Sequence, residues 1–177
     1  MRALLLATSV LLAAACGGKT VRPEGAPSRV VVVGASVVDK PAPRGFTGDV
    51  FGAEEPRDVV AREGAEALRS RGYTVLGVEL TGGPAPTAEQ SAALARQYQA
   101  DAAVVLVLTR LDLSAVQPLG RAEVQLEWMM VGPDGRVLSS DERRSATSQN
   151  LYRARTDWRS HVRQAVIQAV RELPWAW

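Results

Sequence analysis

Ala102-Ala103-Val104-Val105-Leu106-Val107-Leu108 is seven apolar residues in a row, with no polar residue among them. The run is far too short to cross a bilayer, which takes ~20 residues. It does not alternate, so it lacks the wet face of an exposed strand, and it reads as a fully buried strand within Asp101–Leu113. A second such run lies upstream, Val30-Val31-Val32-Val33 followed by Val37-Val38, with Gly34 as the expected site of a kink.

The segments between these two runs alternate helix and strand. A helix is expected from Pro56 to Arg71, because Pro56 suits a first turn, Asp58 complements the helix dipole and Gly72 ends it. Val60, Gly64, Ala67 and Leu68 share one of its faces. Tyr73–Leu80 is the next strand, broken by Thr81-Gly82-Gly83-Pro84. A second helix starts near Thr87, which forms a capping box with Gln90 and leads a stripe of Ala88, Ala92, Ala95 and Tyr98.

Downstream of the buried strand, Gly120–Thr147 reads as a hairpin. Val124, Leu126, Trp128 and Met130 alternate with Gln125 and Glu127, which predicts one buried and one wet face. Gly132-Pro133-Asp134-Gly135 supplies the turn, with proline presetting φ and glycine taking φ > 0. A closing helix over Asp157–Leu173 sets Trp158, Val162, Ala165, Val166, Ala169 and Leu173 on one side, and Arg159, Arg163, Gln168 and Arg171 mostly on the other. The order β-α-β-α-β-β-β-α makes an α/β domain: a mixed sheet of about five strands with three helices packed on it, parallel where βα units connect strands and antiparallel in the hairpin.

Ahead of this domain the chain has a different character. Met1-Arg2 is followed by an uncharged run, Ala3–Ala15, and then by Gly17, Gly18, Pro23, Gly25 and Pro27. A basic start, a short apolar stretch and small residues before a break make a secretory signal over residues 1–15. Removing those 15 of the 177 residues leaves 162, enough for one domain, 29–177, behind a tether at 16–28. The net charge of +2 falls to +1 with the loss of Arg2, a balance that does not suit nucleic acid as a partner.

Cys16 is the one cysteine in the chain, so an internal disulfide cannot form. The stretch Leu12-Ala13-Ala14-Ala15-Cys16-Gly17 resembles the lipobox of bacterial lipoproteins. The resemblance implies cleavage before Cys16, a thioether-linked diacylglycerol on its sulfur and acylation of the new amino group. Gly17 stands where aspartate would signal inner-membrane retention in some bacteria, so it implies the outer membrane, with the domain facing the periplasm.

The sequence carries few residues suited to reaction chemistry. One histidine, His161, and one cysteine cannot assemble a His/Cys zinc cluster, so no metal or other cofactor is expected, and His161 reads as an ordinary helix residue. Val33-Gly34-Ala35-Ser36-Val37 lacks the second glycine of a nucleophile elbow. Gly82-Gly83-Pro84 matches no phosphate-binding loop. The carboxylate pairs Glu54-Glu55 and Asp141-Glu142 sit beside arginines and read as solvated charge.

Three features read as contact surfaces. The first is Phe46 and Phe51 in the long connection Asp39–Glu55. The second is the arginine-rich last third, where Arg143, Arg144, Arg153, Arg155, Arg159, Arg163 and Arg171 face four acids from residue 141 onward. That excess is either a solvated helix face or a patch for an acidic partner such as a phospholipid headgroup, an anionic glycan or an acidic protein. The third is the tail Trp175-Ala176-Trp177, with at least one tryptophan expected to lie on its own domain.

Ala100-Asp101-Ala102-Ala103-Val104-Val105, the hairpin Met129–Leu138 and the closing amphipathic helix together look like the periplasmic lipoprotein group that includes CsgG, LpoB and domains similar to the N-terminal domain of TolB. The likeness covers roughly residues 29–173. It implies a non-enzymatic envelope protein that binds or assembles other proteins. No pair of long alternating segments is present that would form a secretion channel's membrane hairpins, and the tether is shorter than that of a synthase activator. The competing classes are a hydrolase of envelope polymers, which a pocket of converging polar residues would mark, and a structural lipoprotein that holds peptidoglycan or lipid on its arginine face.

Overall fold

The structure, a computed structural model, describes residues 23–39, 54–115, 121–148 and 157–174. These form β1 (Arg29–Ser36), α1 (Pro56–Ser70), β2 (Thr74–Leu80), α2 (Ala88–Gln97), β3 (Ala102–Asp112), β4 (Arg121–Val131), β5 (Val137–Ser148) and α3 (Trp158–Glu172). The sheet order is β2-β1-β3-β4-β5. β1 pairs in parallel with β2 and β3, and β3, β4 and β5 pair antiparallel, as the connections require.

The unalternating runs are central strands because each of their faces meets a different layer. Val30, Val32, Val104, Leu106 and Leu108 point to one side with Val124, Leu126, Trp128 and Met130, where α1 and α3 cover them. Val31, Val33, Ala103, Val105 and Val107 point to the other, where residues of α2 pack on them. α2 is short, so that second face is open over β4 and β5, and Glu123, Gln125 and Glu127 alternate there with the buried residues. This is the half-wet hairpin that the alternation predicts.

Local signals fix the ends. Thr87 and Gln90 form the expected reciprocal capping box, 3.2 and 2.8 Å. Glu55 and Asp58 form another at α1. At the hairpin, the Gly135 amide bonds the Gly132 carbonyl at 3.0 Å, and Gly135 takes φ 85° as the turn demands.

Two expectations for β1 need correction. The strand ends at Ser36 and does not reach Val37-Val38. The Ser36 hydroxyl donates to the Val38 carbonyl and accepts from the Val38 amide, which bends the chain and leaves Val37 exposed. Gly34 does not kink the strand, since Val33, Gly34 and Ala35 keep continuous register with β3, and Val33 and Gly34 with β2. Its missing side chain lets α1 come down onto β1 instead: a Cβ there would lie 2.7 Å from the Arg57 carbonyl oxygen and 2.9 Å from the Ala61 nitrogen.

Asp101 of the Ala-Asp pair has a structural task. Its Oδ2 accepts from the Ser28 amide (2.8 Å), the Ser28 hydroxyl (3.0 Å) and the Arg29 amide (2.8 Å), while its own amide donates to the Arg29 carbonyl (2.7 Å). Burial pushes its carboxyl pKa up, but the hydrogen bonds from Arg29 and Ser28 outweigh it and hold the group below its ordinary value. The start of β1 is thus pinned to the start of β3.

Candidate functional site

α3 carries two of the sequence-predicted contact residues, and the fold turns both toward α1. Arg159 donates Nε to Glu54 Oε2 (2.8 Å) and Nη1 to Asp157 Oδ1 (3.3 Å), with its guanidinium 5.3 Å from the Trp158 ring centroid. Arg163 lies one turn on and holds Glu63 Oε2 at 3.1 Å. Glu63 is nearly buried on α1, and its other oxygen meets Arg62 Nη2 at 3.1 Å. Arg62 also pairs with Glu54.

The result is a chain of charges across the α1–α3 seam in which three guanidiniums, Arg62, Arg159 and Arg163, meet three carboxylates, Glu54, Glu63 and Asp157. Farther along, Arg143 pairs with Glu172 and Arg144 with Glu123. Four of the arginines that look like an excess along the sequence, Arg143, Arg144, Arg159 and Arg163, thus meet acids from other elements. No sequence spacing signals this, because Glu54 lies 105 residues from Arg159. Cys16, Phe46, Phe51, Arg155, Trp175 and Trp177 lie outside the described residues.

His161 is fully buried on the inner side of α3. Its Nδ1 is 2.6 Å from the Thr147 hydroxyl on β5, and its Nε2 is buried with no hydrogen-bond partner among the described residues. Burial lowers its pKa from the ordinary 6.5, and the carboxylate of Asp157 opposes this in part. The unfolded chain therefore binds this proton first on acidification. Stability from the neutral imidazole is complete above about pH 6.5 and is lost as pH falls from there toward the lower folded-state value, at a slope of up to ~1.4 kcal/mol per pH unit. Urea unfolding between pH 8 and 5 is expected to show that slope, and His161→Gln is expected to flatten it. An unchanged slope in the variant would show that other groups set it.

Sequence reasoning missed a groove of about 280 Å³ between α1 and the edge strand β2, lined by Asp58, Ala61, Arg62, Ala65, Glu66, Arg69, Val78 and Leu80. A usable signal was present: Asp58, Arg62, Glu66 and Arg69 follow one helical stripe, and Val78 and Leu80 alternate on the strand beside it. Among the described residues no group of three or more His, Cys, Asp or Glu is placed to hold a metal ion. No described helix is long and apolar enough to cross a membrane.

No protein-family model matches the chain, and no curated protein sequence matches it either. Solved structures do. The PelC dodecamer from Paraburkholderia phytofirmans matches with a TM-score of 0.52 and 14% identity, over 81% of this chain and 84% of that one. The hypothetical protein CT253 from Chlamydia trachomatis matches at 0.48 and 14% identity, over 81% and 94%. Lipoprotein GNA1162 from Neisseria meningitidis matches at 0.41 and 15% identity, over 83% and 100%. What this chain shares with PelC is the fold.

Proposed function

We propose that this chain is a bacterial lipoprotein, processed at Cys16 and held by lipid in the outer membrane, whose periplasmic domain is a non-enzymatic part in an assembly of envelope proteins. The observation that carries the reading is Leu12-Ala13-Ala14-Ala15-Cys16-Gly17, a lipobox-like stretch around the chain's one cysteine, behind a signal-like N-terminus. Each buried methylene of an acyl chain contributes ~0.8 kcal/mol, so two or more chains make a lasting anchor. The segment between Cys16 and β1, whose last residue Ser28 is fastened to Asp101, then ties the domain to the anchor. Confinement to a thin layer raises the domain's effective concentration toward its neighbours without any new contact.

PelC, which has this fold, is a dodecamer, in keeping with a role in assembly. The pairing of Arg159 and Arg163 with acids of the same domain favours a protein partner over an anionic polymer. Phe46, Phe51, Arg155, Trp175 and Trp177, with the outer side of Arg163, are the residues we assign to partner contact.

The anchor is tested by growing cells on an alkyne-bearing fatty acid. Wild-type protein is expected to take up label and sediment with membranes. Cys16→Ser is expected to lose essentially all label and leave the membrane fraction. Equal labelling of the two, or none in the wild type, would overturn the reading. Crosslinking in intact cells then captures the partner.

A further inference from the structure

We infer that the α1–β2 edge is a two-fold contact that takes a second copy of this chain, with β2 pairing antiparallel to its counterpart and α1 lying against its counterpart above it. Among the described residues β2 is an edge strand bonded to β1 alone. Val78 and Leu80 are 42% and 48% exposed on it, an apolar floor on a strand that carries no charge apart from Glu79. Glu79 is engaged by the Tyr98 hydroxyl. The opposite edge is guarded differently. β5 presents Asp141-Glu142-Arg143-Arg144, and the Glu142 amide is already bonded to Asp141 Oδ1 at 2.7 Å. Charge on an edge strand is a common way to refuse another strand, and β2 lacks that protection.

The charge order on α1 identifies the occupant. Asp58, Arg62, Glu66 and Arg69 line the groove in the order minus, plus, minus, plus. A two-fold axis reverses the order in the second copy, so Asp58 faces Arg69 of the other copy and Arg62 faces Glu66. Every position meets its opposite, which is the self-complementarity an isologous interface requires. Neither Glu66 nor Arg69 has an ion-pair partner among the described residues, so both are available. The axis falls midway between Arg62 and Glu66, at the level of Gly64. Gly64 sits over Val32, and Val32 is in register with Val78. The same axis that matches the charges therefore brings Val78 against Val78, covering the exposed apolar floor. Antiparallel pairing is also the more stable kind.

This contact does not depend on the lipid. It is tested on the Cys16→Ser chain, in which neither acyl groups nor a Cys16 disulfide can join copies. Sedimentation equilibrium is expected to give a monomer–dimer equilibrium, weakened about tenfold or more by Val78→Lys. On the same background Val78→Cys is expected to yield a disulfide-linked dimer on mild oxidation, while Val137→Cys on β5 is not. A monomer that dilution does not change, a dimer indifferent to Val78→Lys, or crosslinking through Val137→Cys alone would each overturn the inference. None of these outcomes alters the fatty-acid result, so the two readings fail separately.

Discussion

Gly34→Ala is expected to destabilise the domain by about 3 kcal/mol or more, a large share of the ~5–15 kcal/mol typical of a folded domain. The added methyl would meet the Arg57 carbonyl oxygen at 2.7 Å and the Ala61 nitrogen at 2.9 Å. Both are backbone atoms of α1, so no rotamer change relieves the clash. α1 must lift from β1, and the fully buried Val59, Val60 and Leu68 would lose contact with the sheet. Urea unfolding at pH 7.5 measures the effect. A variant as stable as the wild type would mean that α1 does not sit this close to the strand.

The second large effect concerns Gly64 and Leu106. A Cβ at Gly64 would run into Leu106 Cδ1, the tip of a side chain that is itself fully buried and has nowhere to swing. Gly64→Ala should therefore cost about 1–3 kcal/mol from overpacking, although alanine inside a helix is ordinarily favoured over glycine by ~1 kcal/mol. Leu106→Ala alone should cost about 2–5 kcal/mol from lost transfer energy and a cavity. In the double variant the new methyl enters space the leucine vacated. The combined loss should fall short of the sum by about 1 kcal/mol or more. Strict additivity in the unfolding free energies would contradict the packing.

These two glycines also mark the boundary of what a sequence discloses. Element order, sheet composition and helix caps were legible because each rests on residues near one another: the valine runs, Thr87 with Gln90, and the Gly132–Gly135 turn. Gly34 was misread as a kink because its role lies in the approach of a helix that begins 22 positions later. The C-terminal end of β1 differs from the expectation because Val37-Val38 continue the apolar run while the Ser36 hydroxyl, which turns the chain, is a local competitor that hydrophobicity does not register.

For the contact surfaces the difficulty was pairing over distance. Arg159 finds Asp157 nearby, but the other acids that meet Arg159 and Arg163 are Glu54, just before α1, and Glu63, in the middle of it. The Ala100-Asp101 motif reads in the sequence as a family feature, and in the structure it is a clasp between two parallel strands. His161 reads in the sequence as an ordinary helix residue, and its full burial depends on α3 lying against β5, which periodicity alone does not specify.

Whether Cys16 becomes the lipid-bearing first residue is decided by the mass of the mature protein isolated from the cells that make it. The mass is expected to be that of a chain that starts at Cys16, heavier than the peptide by a diacylglyceryl group and an amide-linked acyl chain. The added mass should be absent from Cys16→Ser. A protein that retains Met1–Ala15, or one that starts at an unmodified Cys16, would contradict it.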